Sequence, residues 1–139
     1  KTILKDLQKK IKSIHKDLKK IILIDKRQIK NKRKALKEKI LDIKGLKVDQ
    51  NRLEQEIFFY LDKIDINEEI NRLKSNLYLF EETMKSKTSQ GKKLNFICQE
   101  IGREINTIGS KCSEFAIQKK VIEMKNNLEK IKEENYNIV

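Results

Sequence analysis

Two short stretches of the chain carry residue types suited to phosphate chemistry. LDKIDINEEINRLKSN (residues 61 to 76) supplies Glu69, Arg72 and Asn76, and QEIGREINTIGSK (residues 99 to 111) supplies Glu100, Arg103, Glu104 and Lys111. Carboxylate oxygens can hold Mn²⁺ or Mg²⁺, and guanidinium groups grip phosphate through paired N–H donors. A metal so held activates water or steadies a leaving oxygen. The candidate metal ligands are Glu69, Glu100 and Glu104. Arg72, Asn76, Arg103 and Lys111 are the candidate phosphate contacts.

The spacing decides where these groups stand. At about 100° per residue, with Glu100 at zero, Glu104, Thr107 and Lys111 lie within about 40° and Arg103 near −60°. The stripe of Ile101, Ile105 and Ile108 centres near 110°. The polar groups therefore line a shoulder of the buried face, where they are partly desolvated. Glu69, Arg72 and Asn76 stand in the same relation to the stripe of Ile70, Leu73 and Leu77. A short connection between the two helices favours an antiparallel hairpin, which brings Arg72 near Glu104 and Glu69 near Thr107. Two readings of the shoulder stand side by side. One is a set of interhelical salt bridges that fixes the register, and the other is a phosphate and divalent-metal site.

The elements that must hold these residues are helical. The chain has 139 residues, no proline, four glycines, 39% charged and 37% hydrophobic residues. It therefore has few helix breakers and few of the turn residues a many-stranded protein needs. Its fold class is all-α, a long basic coiled-coil-like arm plus an antiparallel helical bundle. Leu4, Leu7, Ile11, Ile14, Leu18 and Ile21 alternate spacings of three and four, as a helical seam requires. The seam weakens at Asp25 and Gln28, then resumes through Ile29, Leu36, Ile40 and Ile43 to a stop at Gly45. One helix of that length reaches about 65 Å, and is expected to project as an arm over residues 1 to 47. Residues 48 to 139 form the helical domain. Asp49 caps its first helix, Asp65 with Glu68 resembles a capping box for the next, and KSKTSQG is a loop. Gly109 marks a break or bend, Ser113 caps a last helix, and NYNIV frays.

Charge divides at the same place. Residues 1 to 47 hold 18 Lys and Arg against 5 Asp and Glu, whereas the remainder holds 15 against 16. Lys30, Lys32, Arg33 and Lys34 are the arm's candidate contacts to an RNA backbone. A genome rich in A and T would also raise the lysine count, although the remainder uses the same codons and stays near neutral. No run approaches the roughly 20 apolar residues of a membrane span. Cys98 and Cys112 have no CxxC spacing, and about 21 Å separates them if they share a helix. They are read as reduced core thiols of a cytoplasmic protein, and His15 as a solvated or phosphate-contacting residue. The start at Lys1 suggests a fragment or C-terminal part.

LDKIDINEEINRLKSN, GKKLNFICQEIGREINTIGSK and the ending EKIKEENYNIV resemble the C-terminal region of the YicC-like (YloC-like) bacterial endoribonucleases. The resemblance covers residues 50 to 139. It implies a metal-dependent endoribonuclease that cuts single-stranded RNA, assembles as a homo-oligomer, a hexamer, and carries a further N-terminal domain. Matching positions are Asp65, Glu68, Glu69, Arg72 and Leu73, then Gln99, Glu100, Arg103, Glu104, Asn106, Thr107, Ser110 and Lys111. The candidate catalytic residues are Glu69, Arg72, Glu100, Arg103 and Glu104. Members often have histidine at Asn76 and asparagine at Gly102. Asparagine cannot carry a proton near neutral pH, so proton transfer falls to metal-bound water or to Glu100. A non-catalytic RNA-binding adaptor and a coiled-coil scaffold are the alternatives.

Overall fold

The computed structural model describes residues 2–44, 49–86 and 91–136, and among them every regular element is an α-helix. The order is α1 (Thr2–Lys44), α2 (Gln50–Lys63), α3 (Asn67–Met84), α4 (Gly91–Lys111) and α5 (Phe115–Tyr136). The all-α class follows from this. Gly45 and residues 87–90 of KSKTSQG lie outside the described residues.

Apolar stripes decide the packing. The first half of α1, α3, α4 and α5 form a ring in which α1 packs on α5 and α3, and α4 packs on α3 and α5. Every neighbour in the ring is antiparallel. Lys10 pairs with Glu134, His15 with Glu81, Arg72 with Glu104, and Asn135 reaches Gly91. The stripes meet in one core, where Leu7, Ile11, Ile14, Leu18 and Ile21 lie with Leu73, Phe80, Ile101, Ile105, Val121 and Met124.

The expectation of a projecting arm over residues 1 to 47 is corrected in part. The seam from Leu7 to Ile21 is core and belongs to the same packed unit as α3 to α5. Length misled because only part of α1 can be covered by the other helices of the ring. Lys32 pairs with Glu114, just ahead of α5, so the rest of α1 runs past the end of that helix. There α2 folds back along it, burying Leu53 and Ile57. Leu36 and Ile40 are only half-buried, in keeping with the weakened seam.

The ends follow local chemistry with small shifts. Asp49 caps α2 by accepting from the Asn51 N–H at 3.0 Å. Asp65 accepts from the Asn67 N–H at 2.9 Å, one position earlier than the α3 cap residue Ile66. Glu114, not Ser113, stands at the start of α5, because its carbonyl takes the Gln118 N–H. Gly109 does not break α4, which runs on to Lys111; a Cβ there would stand 3.1 Å from Val121 Cγ1, so the glycine permits close approach to α5. Of NYNIV, residues 137–139 lie outside the described residues, and Asn135 is fully buried and donates to the Gly91 carbonyl and to Asn95 Oδ1.

Candidate functional site

The antiparallel α3/α4 hairpin sets the first turns of α3 beside the last turns of α4. Arg72 stands at the centre. Its Nε donates to Glu104 Oε1 at 3.1 Å, and its two terminal nitrogens reach Glu68 Oε2 and Glu69 Oε2, each at 3.3 Å. Lys111 donates to Glu69 Oε2 and to the Asp65 carbonyl, both at 3.1 Å. Glu69 and Glu104 are buried while Arg72 is half exposed, so the guanidinium covers two desolvated carboxylates and keeps one face to solvent. Hydrogen bonding to Glu104, then to Glu68, raises the Arg72 pKa and holds its charge more firmly. Glu68 and Glu69 in the first turn of α3, and Lys111 in the last turn of α4, also suit the helix dipoles.

The expected meeting of Arg72 with Glu104 is present. Glu69 sits nearer Lys111 than the simple count placed it, because Lys111 reaches back across the hairpin. Glu100 is half-buried and Arg103 exposed, and neither forms an ion pair among the described residues. The antiparallel register that sets 72 against 104 sets the half-buried Asn76 against Glu100. The hydroxyls of the shoulder turn back onto their own helix: Thr107 donates to the Arg103 carbonyl and Ser110 to the Thr107 carbonyl. Glu69 Oε1 is buried without a hydrogen-bond partner.

Among the described residues no three histidine, cysteine or acidic side chains gather to hold a metal ion. Arg72 and Lys111 take lone pairs of Glu69 and Glu104 that a cation would need. Glu100 is the carboxylate of the expected set with no such commitment. On α1, Lys32 is paired with Glu114 and Arg33 with Glu54 at 2.5 Å, whereas Lys30 and Lys34 are exposed and unpaired among the described residues.

Residues 21–139 match the model of the family described as "Endoribonuclease YicC-like, C-terminal". The chain belongs to this YicC-like family. The match takes in the second half of α1 as well as α2 to α5, further than the motifs of residues 50 to 139 reach. The chain is 47% identical over 91 residues to "Probable endoribonuclease YicC" of Clostridioides difficile (strain 630), covering 66% of this chain and 31% of that protein. It is 33% identical over 93 residues to the protein of that name from Haemophilus influenzae (strain ATCC 51907 / DSM 11121 / KW20 / Rd), covering 67% and 32%. It thus spans about a third of the length of the curated relatives it matches.

In this YicC-like chain, several pairings had no signal in the sequence. Lys111 to the Asp65 carbonyl crosses from α4 to the residue ahead of α3, and His15 to Glu81, at 2.7 Å, joins α1 to α3. Both depend on how separate helices are set against one another, which no local spacing encodes. The partnership of Arg72 with Glu68 was legible, since the two stand four residues apart on one helix. Burial pushes the thiols of Cys98 and Cys112 up to about 12 and about 11, as expected of core filling rather than nucleophiles.

Proposed function

We propose that the protein is an endoribonuclease that cuts single-stranded RNA along the α3/α4 shoulder. One observation carries the reading: Arg72 is locked in place by Glu104, Glu69 and Glu68 yet half exposed, and stands on the same shoulder as the uncommitted Glu100 and Arg103. The relatives named as probable endoribonucleases support it.

Arg72 and Arg103 would hold the non-bridging oxygens of the scissile phosphate, which orients the phosphorus and offsets the charge that builds on it. Glu100 would take the proton of the attacking water as its oxygen bonds to phosphorus. The ribose oxygen leaves and is protonated from solvent. Divalent-metal dependence, on Mn²⁺ or Mg²⁺, is part of the proposal. Such ions are commonly bound by one or two carboxylates together with substrate phosphates, without an all-protein cage. Glu100 is the protein group that would serve, because the register sets Glu69 about 10 Å further along the hairpin. When bound, the ion supplies charge neutralisation at phosphate and a more acidic water.

Assembly as a homo-oligomer, a hexamer, and a cytoplasmic location belong to the same proposal. Association is supported by large apolar side chains left in solvent, among them Phe58, Phe59, Phe96 and Phe115. No helix among the described residues is long and apolar enough to cross a membrane.

The commitment of Glu69 and Glu104 to ion pairs favours a second reading, an RNA-binding adaptor in which the cluster only fixes the hairpin register. Full-length protein, labelled single-stranded RNA and Mn²⁺, Mg²⁺ or EDTA separate the two. Cleavage that stops with EDTA, and that Glu100→Gln removes without lowering the melting temperature, supports the nuclease. Binding without cleavage supports the adaptor. Glu104→Gln is expected to lower both stability and cleavage, because it loosens Arg72.

A further inference from the structure

The seam of α1 is buried in the bundle, and the opposite face of the helix is its solvent side. With Lys16 at zero and about 100° per residue, nine side chains between Lys5 and Lys34 fall within about 40° of it. Eight are Lys or Arg, and the ninth is Leu23. All nine are exposed, and none of the eight cations forms an ion pair among the described residues. The acids of this part of α1 stand elsewhere: Asp6 and Asp17 lie about 80° and 100° away and Asp25 about 180°. The cations of α1 that are paired, Lys10, Lys32, Arg33 and Lys37, also lie off the stripe. Codon bias would raise the lysine count without sorting charge by sign around a helix.

We infer that this stripe, about 44 Å long at 1.5 Å per residue, is a track for the RNA backbone remote from the α3/α4 shoulder. The inference rests on the RNA reading above, but uses none of the residues assigned there to cleavage. A run of unpaired cations with no acid among them gains counterion release from a polyanion and cannot be satisfied within the chain. A lipid surface is a poorer occupant, because a helix that lies on a membrane offers it an apolar face. That face of α1 is buried in the bundle. Bases would lie outward, since no aromatic side chain interrupts the stripe, so the track reads charge and not sequence.

Position gives the track its consequence. α1 and α4 occupy opposite corners of the ring, each packing on α3 and α5, so the back of α1 faces away from the shoulder. RNA lying on Lys9 to Lys20 reaches the shoulder of the same subunit only by passing around the bundle, a path of roughly 20 Å or more given helix diameters of about 10 Å, or by running on along α1 to Lys26, which shares a groove with Asp65 ahead of α3. The track therefore favours long RNA over short, whether the strand wraps one subunit or runs on to a neighbour.

The test uses the full-length protein and single-stranded RNAs of about 6 and about 30 nucleotides, a range that spans the usual site size. Wild-type affinity should rise at least about tenfold with length at low salt. Lys9→Glu, Lys12→Glu, Lys16→Glu and Lys20→Glu together should remove most of that rise. They should lower the slope of log affinity against log salt for the long RNA by about 3, near 0.7 for each phosphate no longer neutralised. The matching glutamine variant, with helicity checked by circular dichroism, should fall between and carries the test should the glutamate variant unfold. Equal weakening for both lengths, an unchanged salt slope, or loss of binding to phosphatidylserine vesicles with RNA affinity intact would each overturn the track. Length-dependent binding without cleavage would overturn the nuclease reading and leave the track standing.

Discussion

Replacing Lys111 by methionine isolates the clasp between the start of α3 and the end of α4. Methionine keeps much of the apolar stem and removes the ammonium. With it go a charge-assisted hydrogen bond to Glu69 Oε2 and a bond to the Asp65 carbonyl, each 3.1 Å long. The Glu69 side chain is 5% exposed and that of Lys111 31%. After the change Glu69 retains only the 3.3 Å bond to Arg72, with Oε1 already unpartnered. A hydrogen bond to a charged group contributes about 1.5 to 3 kcal/mol and a neutral one about 1. Discounting for the exposure of Lys111, the expected destabilisation is about 2 kcal/mol. In a chain of 139 residues that corresponds to a fall in melting temperature of roughly 6 to 10 °C. Glu69→Gln removes the buried charge itself and should cost about 1 kcal/mol, since Lys111 can then turn to water. The double variant should be destabilised by less than the two singles together, by at least about 1 kcal/mol. Urea unfolding followed by circular dichroism measures all three. If Lys111→Met shifts stability by less than about 0.5 kcal/mol, or if the two changes simply add, the clasp does not hold the hairpin.

Three further outcomes follow from burial. The raised thiols of Cys98 and Cys112 should leave both unreactive to iodoacetamide at pH 8 in the folded protein, and both should react in denaturant. In the folded state these thiols keep protons that their unfolded forms, with an ordinary value of 9.0, release. Stability should therefore fall as pH rises above about 9, and Cys98→Ala should remove part of that slope. Asn135→Ala should cost about 1 to 3 kcal/mol in thermal or urea unfolding, because it strips donors from the Gly91 carbonyl and from Asn95 at a fully buried position.

The sequence by itself determined what is local. The three-four seam from Leu7 to Ile21, the caps at Asp49 and near Asp65, and the polar shoulders beside the isoleucines of α4 depend on spacing within one helix. Helical geometry converts such spacing directly into position. The approach of Arg72 to Glu104 was also legible, since a short connection leaves few ways to pack two adjacent helices. Where α1 goes was not, and its first half proved to be core rather than arm. An apolar seam states that it must be buried but not by what, and its partners here, α3 and α5, stand far along the chain. The same limit hid the clasp of Lys111 on Glu69 and the pairs that tie Lys32 and Arg33 to distant glutamates. Which cations of α1 stay unpaired was therefore decided by tertiary packing, because an ion pair needs two side chains within a few ångströms and spacing along one helix fixes only one of them.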